Sequence, residues 1–518
     1  MKKFTLILIF LLGILLQVFA QKDSVRNVVQ NRQLYFSDSV NMATYNFSKL
    51  SPLFMQLLMP EQTSSISLGH QLEKGKFIAA QASSKTNTAF LSSEGVTELK
   101  GIKLFGSFKY RKVFEDSTRF AHQTRNNTTT SYYYGSPAYN HYERSIYNFK
   151  VLGAKDILSN KITLGLGMDY NIADHFSNND PRGSINEYQL NFNGVASYNI
   201  SKNIKLGLGY TLGYGQEKVT IGYKNRAYYE SLVYPEYVNY VINGYGEPNP
   251  KNSDRNYNNL QNRNGLDLIF AATNTTIGSL YLKASQIDER QTYDIRNADG
   301  IFDLANYDLN KKLINLLWIK SFIKASLSAN LGYENMNGED FNLSYYATNY
   351  LFTSHKINLD LNFSTINNNV TYNYLIGIKQ YDEERLDGIT GNQVYFKNLD
   401  ANVGFGFNYK LKNNKSFGAS IGGSYSLNLD DNFFISAANE SYFTRYVIFH
   451  DYLYNTSNSF GGNFSTNYSF TFFNAMQAAV RINVAYNSNI AMKSLQRTLI
   501  TTPGKDRFFS NISLNLYF

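Results

Sequence analysis

Between about residue 65 and the C-terminus, apolar and polar residues alternate one for one along most of the chain. In 203–213, Ile204, Leu206, Leu208, Tyr210 and Leu212 fall on one side, and Lys205, Gly207, Gly209, Thr211 and Gly213 on the other. Residues 161–171 repeat this, with Ile162, Leu164, Leu166, Met168 and Tyr170 against Lys161, Thr163, Gly165, Gly167 and Asp169. So do the apolar sets Ile357/Leu359/Leu361/Phe363, Val370/Tyr372/Tyr374/Ile376/Ile378 and Val403/Phe405/Phe407/Tyr409. Successive side chains of a strand point to opposite faces, so these segments read as amphipathic β-strands.

A soluble sandwich also alternates. Three features favour an all-β fold made of a single transmembrane antiparallel β-barrel. The apolar sets often begin or end in Tyr or Phe, as girdles at a membrane boundary do. The polar sets are mostly Gly, Asn, Ser, Thr and Lys, which suits a wet interior. The last segment, 507–518, is amphipathic to its end, with Ile512, Leu514, Leu516 and Phe518 opposite Asn511, Ser513, Asn515 and Tyr517. After Gln21 no apolar run is long enough for a membrane-spanning helix; Leu313–Ile323 comes nearest, and Lys320 interrupts it.

Connection lengths set the topology. With the last strand running toward the periplasm, short turns are expected near 98–101, 159–161, 201–203, 273–276, 336–338, 367–369, 412–415 and 472–475. The alternate connections include the long ones, 117–142, 175–184, 224–262, 291–321, 382–392, 431–455 and 490–506. Short inner turns and long outer loops are the rule for outer-membrane barrels. The count is 14–18 strands, with 18 the best value, and the first two are expected at 75–83 and 86–97. Residues 65–72 also alternate and would make the number odd, and 310–335 is ambiguous.

The N-terminus is built differently. Lys2 and Lys3 precede the apolar run Phe4–Val18, and Val18-Phe19-Ala20 suits a cut before Gln21. That is the pattern of a signal peptide over 1–20, and the run is short for a membrane anchor. Residues 21–64 lack clear alternation and include the Pro-bounded LSPLFMQLLMP at 50–60. They form either a periplasmic tail or a plug or hatch in the lumen of the 65–518 barrel.

Composition narrows the chemistry. The 518 residues carry 49 Lys+Arg against 40 Asp+Glu, 15% aromatics and no Cys. Absence of Cys excludes disulfides, thiol catalysis and Cys-ligated metal. Lysines recur on the polar faces at Lys103, Lys109, Lys150, Lys205, Lys283 and Lys379, with Arg481 likewise. A net positive lumen would favour anions; alternatively these groups pair with acids such as Asp169 and Asp360. The basic balance does not imply nucleic acid, because no aromatic-interleaved basic motif is present.

The outer loops are rich in Tyr and Asn. Tyr132, Tyr133 and Tyr134, then Tyr228, Tyr229, Tyr234 and Tyr237, then Tyr446, Tyr452 and Tyr454 are candidate contacts for a ligand or partner, since such rings supply area and polar groups supply hydrogen bonds. The alternative is that they fold the loops over the barrel mouth. No catalytic set, metal site or cofactor motif emerges, and none is expected. Asp174-His175 and His450-Asp451 are adjacent in sequence, which does not make them face one another.

An amphipathic last strand ending in Phe518 resembles the signal that Gram-negative outer-membrane barrels present to their assembly machinery. With the leader and the alternation, the whole mature chain resembles the outer-membrane β-barrel families of unknown function. In architecture it is similar to the fatty-acid-transporter-like barrels with a short N-terminal hatch. The resemblance implies a bacterial outer-membrane location, contact with membrane lipids and engagement of the barrel-assembly machinery through Phe518. The similarity to the fatty-acid-transporter-like barrels is one of shape only; the expected role is non-enzymatic, passive transport or ligand uptake through a basic lumen, open or plugged. The competing expectation is a subunit whose outer loops dock a lipoprotein or transporter partner.

Overall fold

The computed structural model describes residues 35–518 apart from 125–128, 229–232, 247–248, 251–254, 298–299, 436–439, 474–475 and 498–499. The expected signal peptide and the start of the 21–64 segment lie outside the described residues. Two short helices come first, α1 (Ser39–Ser48) and α2 (Pro52–Leu58). Then follow β1 (Thr63–Gly75), β2 (Lys85–Leu99), β3 (Ile102–Thr118), β4 (Tyr132–Gly135), β5 (Asn140–Ile157), β6 (Ile162–Ser177), β7 (Arg182–Ser201) and β8 (Ile204–Gly222). Next are β9 (Tyr240–Asn243), β10 (Asn249–Pro250), β11 (Asn256–Thr275), β12 (Gly278–Asn297), β13 (Gly300–Ser321), β14 (Ala325–Asn342) and β15 (Tyr350–Asn367). The chain ends with β16 (Val370–Asp387), β17 (Gln393–Lys410), β18 (Ser416–Phe434), α3 (Phe449–Asn455), β19 (Asn458–Phe473), β20 (Met476–Ala491) and β21 (Asp506–Tyr517).

Eighteen strands form one antiparallel sheet, each pairing with the wall strands before and after it, so that β3 pairs with β5 and β8 with β11. β1 pairs with β2 on one side and β21 on the other, closing the barrel. Ser64 and Phe518 complete this seam, each donating its backbone N–H to the other's carbonyl at 3.0 and 3.1 Å. Closure satisfies every edge, which a strand-built wall in lipid requires. The remaining strands, β4, β9 and β10, make a separate sheet.

The outward face is apolar without a protein partner. Leu166 is 74% exposed, and Leu208 and Leu266 are each 67% exposed, in register with other outward Leu, Ile and Phe. A continuous apolar belt of this kind is held by lipid rather than water. Cross-strand aromatic pairs brace it: Phe108–Phe149 at 5.0 Å, Tyr110–Tyr147 at 4.8 Å and Tyr374–Phe405 at 5.3 Å. Toward the loop end the outer wall becomes polar, with Arg290 and Asp308 3.7 Å apart on adjacent strands.

Two details differ from the expected layout. The first strand is 63–75 rather than 75–83, which instead forms the outer connection between β1 and β2. The extra alternating segment therefore replaces an expected strand, and the number stays even. Residues 291–321 are also not a long loop: β12 and β13 form a hairpin, and the short turn expected at 336–338 lies at 322–324. The reason is physical. β13 is apolar on both faces near Leu316 and Leu317, because inward Leu317 packs on Phe54 and Phe47 rather than facing water. Its period of two is thereby hidden.

The core sits inside the barrel, in separate layers. Toward the turn end, α1 lies against β13–β16 and α2 against β5–β7. Phe54, Leu53 and Phe47 pack with Val195, Ile269, Tyr281 and Leu317, while Tyr45, Met55 and Met59 pack with Val96, Phe105 and Leu152. Toward the loop end, a larger cluster joins Phe120, Tyr132–Tyr134, Val241, Ile242, Tyr257, Tyr293, Phe443 and Phe449. It buries β4, β9 and α3 in the mouth.

Candidate functional site

The N-terminal segment enters the lumen through ordinary helix chemistry. Asp38 caps α1, accepting the N–H groups of Val40 and Asn41 at 2.9 Å each. Ser51 caps α2 and accepts from Leu53 at 3.3 Å, with Pro52 at the first helical position, where its missing N–H costs nothing. Pro52 sits over Gly165, where an added Cβ would come 2.6 Å from the proline Cβ. Fully burying Phe54, Leu53 and Met55 stabilises this seat by about 1.5–3 kcal/mol per side chain.

Polar contacts tie the segment to the wall in several directions. Asp38 also accepts a hydrogen bond from Ser364 on β15. Asn373 and Asn408 donate to the Ser37 carbonyl at 3.0 and 2.9 Å. Lys49 pairs with Glu94 at 2.7 Å. Two of the expected lumen lysines take up helix-end carbonyls. Lys283 donates to Leu50 O at 3.1 Å, and Lys103 donates to Gln56 O at 3.2 Å and to Met59 O. Gln56 and Met59 lie at the C-terminal end of α2, where helix carbonyls are left unsatisfied, and Leu50 lies just past α1.

The other expected lumen cations are also placed. Lys150 pairs with Asp169 at 2.8 Å, Lys205 with Asp156 at 3.7 Å, Lys283 with Asp267 at 3.0 Å and Lys379 with Asp400 at 3.0 Å. Much of the lysine charge is thus balanced on the wall. Lys109 and Arg481 instead line two lumen cavities. The larger, about 620 Å³, runs between the N-terminal segment and β16–β20, against Asn402, Gly404, Gly406, Asn463, Asn467 and Arg481. The other, about 450 Å³, lies against β1–β7 and includes Lys109 and Arg111. Arg111 escaped the sequence reading, although it is two residues from Lys109 and shares its face.

The outer tyrosines divide into two groups. Tyr132, Tyr133 and Tyr134 are buried in the mouth. Tyr132 lies 5.4 Å from Tyr257 and 5.3 Å from Tyr293, and Gln81 donates to the Tyr133 hydroxyl at 2.9 Å. Tyr452 donates to Asp431 at 2.8 Å, and Tyr454 packs at 5.0 Å on Phe77. Tyr228, Tyr237 and Tyr446 come together on the outside, lining an open cleft of about 900 Å³ with Arg119, Tyr139, Asp180 and Arg182. Tyr228 and Tyr237 stack 3.9 Å apart, Tyr234 meets Tyr228 edge-on at 5.4 Å, and the Arg119 guanidinium lies 3.7 Å from the Tyr139 ring centroid and 4.7 Å from that of Tyr446. Tyr229 lies outside the described residues.

The histidine–acid neighbours do other work. His175 turns inward and stands 3.5 Å from Glu187, while Asp174 faces out. His450 donates from Nε2 to Ile78 O at 2.9 Å, and Asp451 accepts from Ala80 N–H at 2.7 Å. Both hold the 76–84 connection against α3. His122 is fully buried in the mouth, hydrogen-bonded to the Tyr142 hydroxyl; burial, then the nearby Arg144, pushes its pKa down to about 3.

The chain belongs to the Family of unknown function (DUF6850), whose model matches residues 52–518. This agrees with the expectation of an outer-membrane barrel family without an assigned function. No curated protein matches the sequence. In fold the chain is similar to the FrpB iron transporter (F3-3 variant) of Neisseria meningitidis, at 9% identity over 90% of this chain and 82% of that one, with a TM-score of 0.40. It is similar to the outer membrane transporter YddB of Escherichia coli, at 9% identity over 88% and 80%, TM-score 0.39. It is also similar to OccAB2 of Acinetobacter baumannii, at 12% identity over 88% and 98%, TM-score 0.32. These likenesses concern barrel shape alone and carry no statement about solute or partner.

Proposed function

We propose that this protein is an outer-membrane barrel for uptake or passive passage of a small polar solute, with residues 35–59 as a hatch at the turn end. The observation that carries this reading is the cavity along β16–β20. Its polar lining is mostly Asn, Ser and Gly with Asp360 and Arg481, and its inner boundary is Phe36–Ser39 and Met42 of the N-terminal segment. Moving that segment would widen a hydrated path without breaking the wall, because its anchors are side-chain contacts rather than strand pairings. The folded-in outer loops are the second barrier, at the opposite end.

Planar-bilayer conductance of the full chain tests this. The double variant Asp38→Ala/Lys103→Gln removes an α1 cap with its Ser364 contact and the cation holding the end of α2. The expected result is more frequent or longer open steps than the parent shows. A variant that folds, keeps its heat-modifiable mobility and gives no steps in any trace, like the parent, would overturn the transport reading.

A second reading, a subunit that docks an envelope partner such as a lipoprotein, is favoured by the open cleft around Tyr228, Tyr237 and Tyr446. Stacked rings beside Arg and Asn offer area and hydrogen bonds together. Recovery of a stoichiometric partner from mildly solubilised membranes, lost in Tyr228→Ala/Tyr237→Ala, would favour it over transport.

A further inference from the structure

We infer that the lumen cavity beside β3 is a binding site for a small oxyanion, a solute bearing a phosphate or carboxylate, held by Lys109 and Arg111. The inference rests on the transport reading for its physiological meaning, but not for its chemistry.

Lys109 and Arg111 are two residues apart on β3 and therefore share its inward face, with Phe108 and Tyr110 turned to the lipid side among the outward aromatic pairs. Both line a cavity of about 450 Å³, within the range of small-solute sites. The acids that share this cavity are committed elsewhere. Glu73 pairs with Arg507 at 2.8 Å, Glu115 with Arg144 at 2.8 Å, and Glu187 faces His175 at 3.5 Å. Among the described residues no carboxylate stands within ion-pairing distance of Lys109 or Arg111. The Arg111 guanidinium has one hydrogen bond, from Nη2 to Asn148 Oδ1 at 3.3 Å, which leaves further donors of its fork available to a ligand.

The lack of an acid sets Lys109 and Arg111 apart from Lys150, Lys205, Lys283 and Lys379, each of which has one. Two cations side by side, partly removed from water and without a counter-charge, repel each other until an anion joins them. Arg presents parallel donors to a planar or tetrahedral oxyanion, and Lys adds a point charge. Gln71, Thr86, Thr88 and Asn511 complete a polar lining that can hydrogen-bond the rest of the solute. Arg481 lines the other lumen cavity.

Calorimetric titration of the full detergent-solubilised chain tests the site with inorganic phosphate, glucuronate and, as neutral control, glucose. The expected result is binding of phosphate or glucuronate and not of glucose, weakened at least about tenfold in Arg111→Gln and in Lys109→Gln. Lys379→Gln, whose lysine is already paired with Asp400, should leave the affinity within about twofold. Heat-modifiable mobility reports whether each variant still forms the barrel. Absence of anion binding to the folded parent, equal binding of glucose, or anion binding unchanged in both variants would each overturn the inference. A channel that never opens while phosphate or glucuronate binds would instead remove the transport reading and leave the oxyanion site standing.

Discussion

Asp387, at the loop end of β16, accepts the backbone N–H of Tyr245 at 3.0 Å and so ties the longest outer loop to the rim of the wall. The same carboxylate accepts from Asn349 Nδ2 at 2.9 Å and from the Thr390 N–H and hydroxyl at 2.9 and 2.8 Å. Gly244 makes the approach feasible: its φ is +76°, and a Cβ there would collide with Asp387. Asp387→Ala should release the 240–246 stretch, at a local cost of about 1–3 kcal/mol for donors left buried without an acceptor. Hydrogen exchange should rise there and at 132–135, which pairs with it, while the turn-end half of the barrel stays protected.

The seat of the N-terminal segment should be separable from the wall. Phe54→Ala leaves a hole between Phe47, Tyr281 and Leu317 and should cost about 3–5 kcal/mol in the segment's docking. Limited proteolysis should then cut within 35–62 under conditions in which the parent is resistant. Persistence of the heat-modifiable barrel would locate the loss in the segment.

His122 makes the mouth acid-sensitive. Its folded-state pKa of about 3 lies below the ordinary 6.5. The unfolded or opened form therefore binds the proton first, and stability present above pH 6.5 is lost as pH falls from 6.5 toward 3. Asp451 works in the opposite direction, since burial raises its pKa and it binds a proton more readily when packed. Hydrogen exchange over 120–124 and 129–135, compared at pH 7 and pH 4, should accelerate at the lower pH beyond the intrinsic effect. His122→Gln should flatten that difference.

The Tyr228–Tyr237 stack lies on the open cleft and supports no core. Tyr237→Ala should change global stability by no more than about 0.5–1.5 kcal/mol, the worth of an aromatic pair. Thermal unfolding checks this. If the cleft docks a partner, recovery of that partner falls sharply with stability nearly unchanged.

Phe518 closes the seam through its backbone, so truncating it removes both hydrogen bonds to Ser64. Deletion of Phe518 should lower the fraction of heat-modifiable barrel recovered from membranes, whereas Phe518→Tyr, which keeps the backbone and the ring, should restore most of it. Equal recovery from all three chains would remove its role in assembly.

Much of the wall was legible from residues alone. The alternation of Leu206, Leu208 and Tyr210 with Gly207 and Gly209 places lipid and lumen faces directly, because a strand has only two sides. Legibility failed where the inward side is not wet. Leu317 packs in one cluster with Phe54, so β13 loses its contrast and was itself mistaken for a loop. The candidate sites followed the same rule. Lys109 was recognisable as a lumen residue, but its lack of an acid partner, unlike Lys150 with Asp169, was not.

By itself the sequence determined an antiparallel barrel of 14–18 strands, its lipid face, the end that carries the long loops and the terminal strand that closes it. These are consequences of local periodicity and connection length, written into neighbouring residues. Only the tertiary structure decided that α1 and α2 sit in the lumen, that Tyr132–Tyr134 are core while Tyr228 and Tyr237 line a cleft, and which cations are paired. Each of those depends on side chains brought together from strands far apart in sequence, such as Asp38 with Ser364 or Gly244 with Asp387, and no local pattern encodes such a meeting.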